Sequence, residues 1–468
     1  MKNLRNISSI AFGDGISKIA AFIATPYLAI KLQPVAFGNV GVVMAIYSFM
    51  SVFVQFGTNE YGILKVSPNR TIENIRTTLC GIISLRLMLL LISTVVLIFA
   101  ILVFGFLSSH WLLLAAGFIT LFVFSIAVDW VFISIEEMWI TSFIRMLSRI
   151  IYVLLIFCLI SKPEDAAIAI AIQGATELLV VFSLWLILFK RKAINIWIFS
   201  LKEIYPIFRG ALPILLMTLS VSVFGSIDIL LLGWLKSPEE VGYYSAALKL
   251  LLFGMSIRIT LGPFIFPKIV KAWSISKDHS QEFLRNVQVY ATSIAIAVGI
   301  IGCIYYVNIT QLVLGYQYKN SGPVFAVVIW VAFFEIIGFV FAYFVFSIDQ
   351  KLYTKIVITS AIANIVFNVI LIKMIGILGS AIAYVISSAM IAVISFLYIR
   401  RQGIKPNIWK DISLPVIIGI ISFSTTYIFL HSLSLIFSLV SGIGLFVVLL
   451  FSFKIIQWSN LKVQLGLS

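Results

Sequence analysis

Apolar stretches, most of them long enough to cross a bilayer, follow one another along almost the whole chain, separated by short polar loops. A spanning helix needs about 20 mostly apolar residues. On that measure the pattern predicts about fourteen spans, at roughly 8–31, 36–57, 78–106, 111–134, 146–161, 166–189, 211–235, 241–266, 286–308, 322–347, 355–375, 377–399, 412–431 and 434–456. The shortest, 146–161, is preceded by Arg145 and carries Arg149.

One long interval interrupts the series. From Lys190 to Pro213 the chain carries Lys190, Arg191, Lys192, Lys202 and Arg209 against a single acid, Glu203. It reads as a linker between two halves. Within it, residues 193–201 are apolar and flanked by cations, which suits a helix lying in the membrane interface or a plain tether. The expected organisation is an N-terminal six-helix lobe (1–189), a basic linker (190–210), a C-terminal six-helix lobe (211–399) and two additional helices with a tail (400–468). The fold class is all-α integral membrane protein, with two pseudo-symmetric lobes plus two C-terminal helices.

Composition agrees. The 468 residues are 62% hydrophobic and 11% charged, whereas soluble domains run near 45–50% apolar and about 25% charged. A soluble fold is excluded, because too little polar surface exists to cover so much apolar side chain. The net charge of +15 would suit nucleic acid if the cations were clustered, but they lie between the spans. With the N-terminus inside, 24 Lys and Arg fall in inside segments and 5 (Lys31, Lys162, Lys236, Lys319 and Lys373) in outside ones. That asymmetry places both termini in the cytoplasm and leaves no nucleic-acid role. Lys2 and Arg5 precede an apolar stretch that contains Asp14 and Lys18 and runs past Ala29, so it reads as an uncleaved first span.

An internal repeat accounts for the two halves. Gln33-Pro-Val-Ala-Phe-Gly38 joins spans 1 and 2, and Ser237-Pro-Glu-Glu-Val-Gly242 joins spans 7 and 8. Both read Pro-x-x-apolar-Gly, and proline suits the start of a helix. Ile133-Ser-Ile-Glu-Glu-Met-Trp-Ile-Thr141 after span 4 is echoed by Phe346-Ser-Ile-Asp-Gln-Lys-Leu-Tyr-Thr354 after span 10. The echoes keep their order, as a duplication would. An even number of spans separates the copies, so they point the same way and are related by an axis along the membrane normal, with a substrate path expected between them.

Asp129-Trp-Val-Phe-Ile-Ser-Ile-Glu-Glu-Met-Trp-Ile-Thr141, with the basic start of span 5 and Ser161-Lys-Pro-Glu-Asp165 after it, resembles the Wzx-type O-antigen and polysaccharide flippases. These share a superfamily with the MATE exporters and the lipid II flippase. Pro238-Glu-Glu-Val-Gly-Tyr-Tyr-Ser-Ala-Ala247 and Leu314-Gly-Tyr-Gln-Tyr-Lys-Asn-Ser321 are similar to the same family. The resemblance implies an undecaprenyl-diphosphate-linked oligosaccharide as substrate, moved from the inner to the outer leaflet of the bacterial inner membrane. It implies alternating access driven by a transmembrane ion or proton gradient, with no cofactor. Membrane lipids, a polysaccharide polymerase and a chain-length regulator are the implied partners, and a monomer is sufficient.

No nucleophile elbow, phosphate loop or metal constellation is present, so no catalytic or metal-binding residue is expected. Cys80, Cys158 and Cys303 have no ligand spacing. Mechanism must rest on charge inside the membrane, which is costly and faces a cavity or a partner. Four cations qualify for substrate binding: Lys18, Arg86, Lys249 and Arg258. Arginine binds phosphate oxygens in bidentate fashion. Lys249 and Arg258 project from roughly opposite faces of a straight helix. Lys18 could instead pair with Asp14 one turn earlier, and Arg86 and Arg258 could snorkel. Asp14, Glu177, Asp228 and Glu335 are the candidates for ion or proton coupling, each weighed against a salt bridge to a neighbouring helix. Asp129, beside Trp130, reads as an anchor. The alternatives are a MATE-type small-molecule or multidrug exporter, and a membrane polymerase or glycosyltransferase. The last would need a large outer loop or an acidic interfacial motif, and neither is present.

Overall fold

The computed structural model describes residues 2–103, 105, 109–191, 199–404, 412–430, 435–453 and 455. Among them every regular element is helical. The helices are α1 (Lys2–Gln55), α2 (Thr58–Val66), α3 (Ile72–Val103), α4 (Trp111–Ser125), α5 (Asp129–Ser134), α6 (Met138–Leu159), α7 (Ala166–Lys190), α8 (Leu201–Leu235), α9 (Pro238–Ile275), α10 (Lys277–Ile304), α11 (Tyr306–Leu314), α12 (Ser321–Ile348), α13 (Gln350–Ile375), α14 (Ile377–Arg401), α15 (Leu414–Leu430) and α16 (Leu435–Ser452).

Each expected span overlaps one of these helices. Nine stretches of the described residues are long and apolar enough to cross a membrane, or ten if the bent α8 counts as one span. The tally by length is smaller than fourteen, and α9, which carries the expected span 241–266, is not in it. α1 carries two expected spans, divided at Gln33 (φ 61°, ψ 168°). Pro34 forces that extended ψ on the residue before it. Two further apolar helices, Leu414–Phe429 and Phe437–Ser452, are shorter. The expected span 146–161 begins earlier, at Met138, so Arg145 and Arg149 lie within α6.

Breaks within spans add detail that hydropathy does not carry. Phe56 and Gly57 both have positive φ and part α1 from α2. Residues 126–128 part α4 from α5. α8 breaks at Phe224 and Gly225, where its two parts meet at 62°.

The chain divides into two compact units, Met1–Ser245 and Ala246–Ser468. In the first unit α8 packs on α1, α2 and α3, so the helix following the basic interval joins the helices before it. The core there gathers around the fully buried Trp130 and Phe132. In the second unit α12 is the central helix, packed against α10, α13 and α14. Elsewhere the chain turns apolar side chains outward. On α3, Leu91, Val95, Phe99 and Leu102 are all more than half exposed. Lipid is the solvent that makes such a face stable. The apolar stretch 193–201 falls largely in 192–198, outside the described residues.

Candidate functional site

The charged site of the second unit is built on a seam between α9 and α12. α9 presents Gly254, Arg258, Gly262 and Phe266 to α12, one residue every four, as one face of a helix requires. A Cβ on Gly254 would lie 3.3 Å from Ile329, and one on Gly262 only 2.6 Å from the Tyr343 hydroxyl oxygen. The Phe266 and Tyr343 rings meet edge to face at 5.2 Å. The two glycines leave room for Ile329 and the Tyr343 hydroxyl, and Arg258 between them reaches Glu335 near the middle of α12. Arg258 Nη2 lies 2.8 Å from Glu335 Oε2.

About a quarter of each side chain stays accessible, 27% for Arg258 and 24% for Glu335. The Nε of Arg258 is buried and has no partner among the described residues. Tyr353 lies within electrostatic reach of both Arg258 and Glu335. The structure therefore joins a candidate substrate cation to a candidate coupling acid, residues that the sequence offered separately. Lys249, also on α9, is exposed and has no hydrogen bond or ion pair among the described residues.

The other candidates are held by local partners in the first unit. Arg86 is fully buried. Its Nε donates to Thr58 Oγ1 (2.7 Å), Nη2 to Asn59 Oδ1 (2.8 Å) and Nη1 to the Ala127 carbonyl (2.9 Å). Thr58 and Asn59 open α2 just after the Phe56–Gly57 break, and Ala127 lies in the α4–α5 break. Arg86 thus ties two broken spans together, and its donors are occupied. Glu177 on α7 takes Arg149 at 2.9 Å and Arg145 at 3.6 Å, and Arg145 also reaches Asp129 at 2.7 Å. Glu177 and Asp129 thus share an ion-pair network with two arginines of α6. Asp228, fully buried, accepts from the Tyr244 hydroxyl at 2.9 Å. Asp14 and Lys18 lie outside the residues whose side chains are described.

Sequence reasoning passed over an uncharged polar seam in the second unit. Asn368 on α13 donates to the carbonyl and the Oδ1 of Asn364, and Ser380 on α14 donates to Asn368 Oδ1 at 2.7 Å. Asn364 Nδ2, Ser360 Oγ and Ser395 Oγ are buried without a partner. The signal was available: Ser360, Asn364 and Asn368 recur every fourth residue on an otherwise apolar helix. Among the described residues no cluster of His, Cys, Asp and Glu could hold a metal ion.

Fold and composition together define a multi-pass all-α membrane protein. The structure aligns with the lipid II flippase MurJ in an inward closed conformation (TM-score 0.76, 12% identity, 94% of this chain and 97% of that one). It also aligns with an inward-facing multidrug resistance MATE family transporter of the MOP superfamily (TM-score 0.66, 16% identity, 82% and 94%). At these identities the likeness is one of fold.

The chain belongs to the polysaccharide biosynthesis protein family, whose model matches residues 3–273. Two relatives carry the name "Putative O-antigen transporter". The one from Shigella dysenteriae is 24% identical over 68% of this chain and 79% of its own length. The one from Escherichia coli (strain K12) is 21% identical over 85% and 97%. The protein is a transporter and not an enzyme.

Proposed function

We propose that this protein is a flippase that carries an undecaprenyl-diphosphate-linked oligosaccharide, the repeat unit of an O-antigen or other surface polysaccharide, from the cytoplasmic to the outer leaflet of the bacterial inner membrane. The observation that carries the reading is the match to relatives named as O-antigen transporters, which for the E. coli protein extends over 405 residues. The fold supports it through its likeness to a lipid II flippase, and cations within spanning helices suit a diphosphate cargo. In this reading both termini are cytoplasmic, transport proceeds by alternating access, and a transmembrane ion or proton gradient drives it. A polysaccharide polymerase and chain-length regulator would take the product, and one chain is sufficient.

The likeness to a multidrug MATE transporter favours a second reading, export of small molecules. Depletion in the native host separates the two. The flippase reading expects a complete lipid-linked repeat unit to build up on the cytoplasmic leaflet while surface polysaccharide is lost. Unchanged lipid intermediates with new sensitivity to cationic drugs would establish the exporter instead.

A further inference from the structure

An arginine open to lipid headgroups faces a problem of competition. Anionic phospholipids outnumber any biosynthetic intermediate in a bacterial membrane, and each offers a phosphate that a guanidinium binds well. A bare arginine on a lipid-accessible path would be occupied most of the time by the wrong anion. Arg258 is not bare. Its Nη2 is held by Glu335 at 2.8 Å, while its Nε stays unpartnered and the pair stays about one quarter accessible. Among the described residues the contact thus occupies Nη2 and leaves the buried Nε without an acceptor, unlike Arg86, where all three nitrogens meet oxygen. The flanking Gly254 and Gly262 make room for Ile329 and the Tyr343 hydroxyl of α12 on either side of the contact.

We propose that Glu335 is an internal stand-in for the substrate's phosphate, occupying Arg258 in the unloaded transporter and keeping singly charged phospholipids off a guanidinium that a lipid-borne diphosphate can claim. Every anion that takes Arg258 must first displace the carboxylate, so every apparent affinity falls by the same factor. A phosphodiester, with one charge and weak intrinsic affinity, drops below useful occupancy. A diphosphate, with at least two charges and oxygens for both edges of the fork, remains above it. The ratio of the two affinities is untouched, so the carboxylate sets which anions reach useful occupancy and not their ranking. The proposal rests on the flippase reading for the class of its ligand.

The test uses the full chain in lipid nanodiscs, with geranylgeranyl diphosphate as the probe. In discs of zwitterionic phosphatidylethanolamine, E335Q binds the probe at least about fivefold more tightly than wild type, as loss of a competing ion pair predicts. R258Q binds it more weakly than wild type. Phosphatidylglycerol added to the discs lowers probe affinity far more in E335Q than in wild type. E335A serves as a second variant, because a glutamine amide can still hold the guanidinium. The proposal is overturned if both Glu335 variants bind like wild type, if R258Q binds like wild type, or if phosphatidylglycerol acts equally on all. Inorganic pyrophosphate that competes as well as the lipid probe would overturn the lipid part and reassign the site to a soluble anion. Host depletion reads the flippase assignment separately. Build-up of lipid-linked glycan with no Glu335 effect would sink the stand-in and keep the flippase. The reverse pattern would keep the anion exchange and sink the flippase.

Discussion

Gly38 and Gly242 occupy each other's side-chain space. A Cβ on Gly38 would overlap the carbonyl oxygen of Pro238, and a Cβ on Gly242 would overlap the carbonyl oxygen of Pro34. Each glycine thus lies against the proline that opens the other's motif. The two copies of Pro-x-x-apolar-Gly pack on one another in a reciprocal contact, as related copies meeting across a pseudo-twofold axis would. One turn on, Gly41 meets Ser245, where a Cβ would come within 2.6 Å of the hydroxyl oxygen.

Alanine at either glycine places a methyl group against backbone, which has no rotamer to yield. G38A and G242A should each cost about 1–3 kcal/mol or more, read as a lower unfolding temperature of the purified protein in detergent. G444A is the control, since nothing lies within 4 Å of a Cβ there. It should be neutral or slightly stabilising. Equal unfolding temperatures for all three variants would show that the two motifs do not touch.

Arg86 should behave as a structural residue. Removing it leaves the Ala127 carbonyl, Asn59 and Thr58 without their donor in a fully buried place. R86A should therefore unfold at markedly lower temperature, since each buried acceptor left without a donor costs about 1–3 kcal/mol. R86K should rescue little, because one ammonium cannot span three acceptors set in a fork. Transport per folded molecule is the second readout. If R86K is as stable as wild type but transports nothing, Arg86 serves the substrate and not the fold.

The spans were legible because hydropathy is a local signal, and lipid demands it of every crossing segment. The division at Gln33 was legible too, since Pro34 marks it. The break at 56–57 falls at the end expected for the span 36–57, beside Thr58, Asn59 and Glu60. The break at 126–128 was not legible. The chain there is as apolar as its surroundings, and a polar partner from another helix, Arg86, answers the freed carbonyl. Pairing was the other blind spot. Arg258 and Glu335 are far apart in sequence, and no local rule joins them. The helical period did separate Lys249 from Arg258 on α9, and the structure leaves Lys249 exposed while Arg258 meets α12. The Asn364–Asn368–Ser380 seam carries no charge, so three short polar side chains barely mark an otherwise apolar pattern.

Orientation is open to direct chemistry. Lys319, Lys373, Lys271 and Arg401 are all exposed. In a chain with Cys80, Cys158 and Cys303 replaced by alanine, K319C and K373C should react with a membrane-impermeant maleimide added to intact cells with a permeabilised outer membrane. K271C and R401C should react only after the inner membrane is disrupted. The opposite pattern would invert the charge-bias orientation and with it the direction of transport.

Lys249 separates stability from transport most cleanly. Its side chain is exposed on α9 and makes no hydrogen bond or ion pair among the described residues. Removing an exposed, unpartnered group usually changes stability by no more than about 0.5 kcal/mol. K249Q should therefore unfold with wild type. If Lys249 draws the diphosphate along its path, transport by K249Q should fall several-fold, and the loss should shrink as salt screens the attraction in wild type. K249R should restore transport, since charge is what the role requires. Unimpaired transport by K249Q would place Lys249 on a lipid-facing surface, its ammonium serving only the headgroups around it. The burden of recognising the anion would then fall on Arg258.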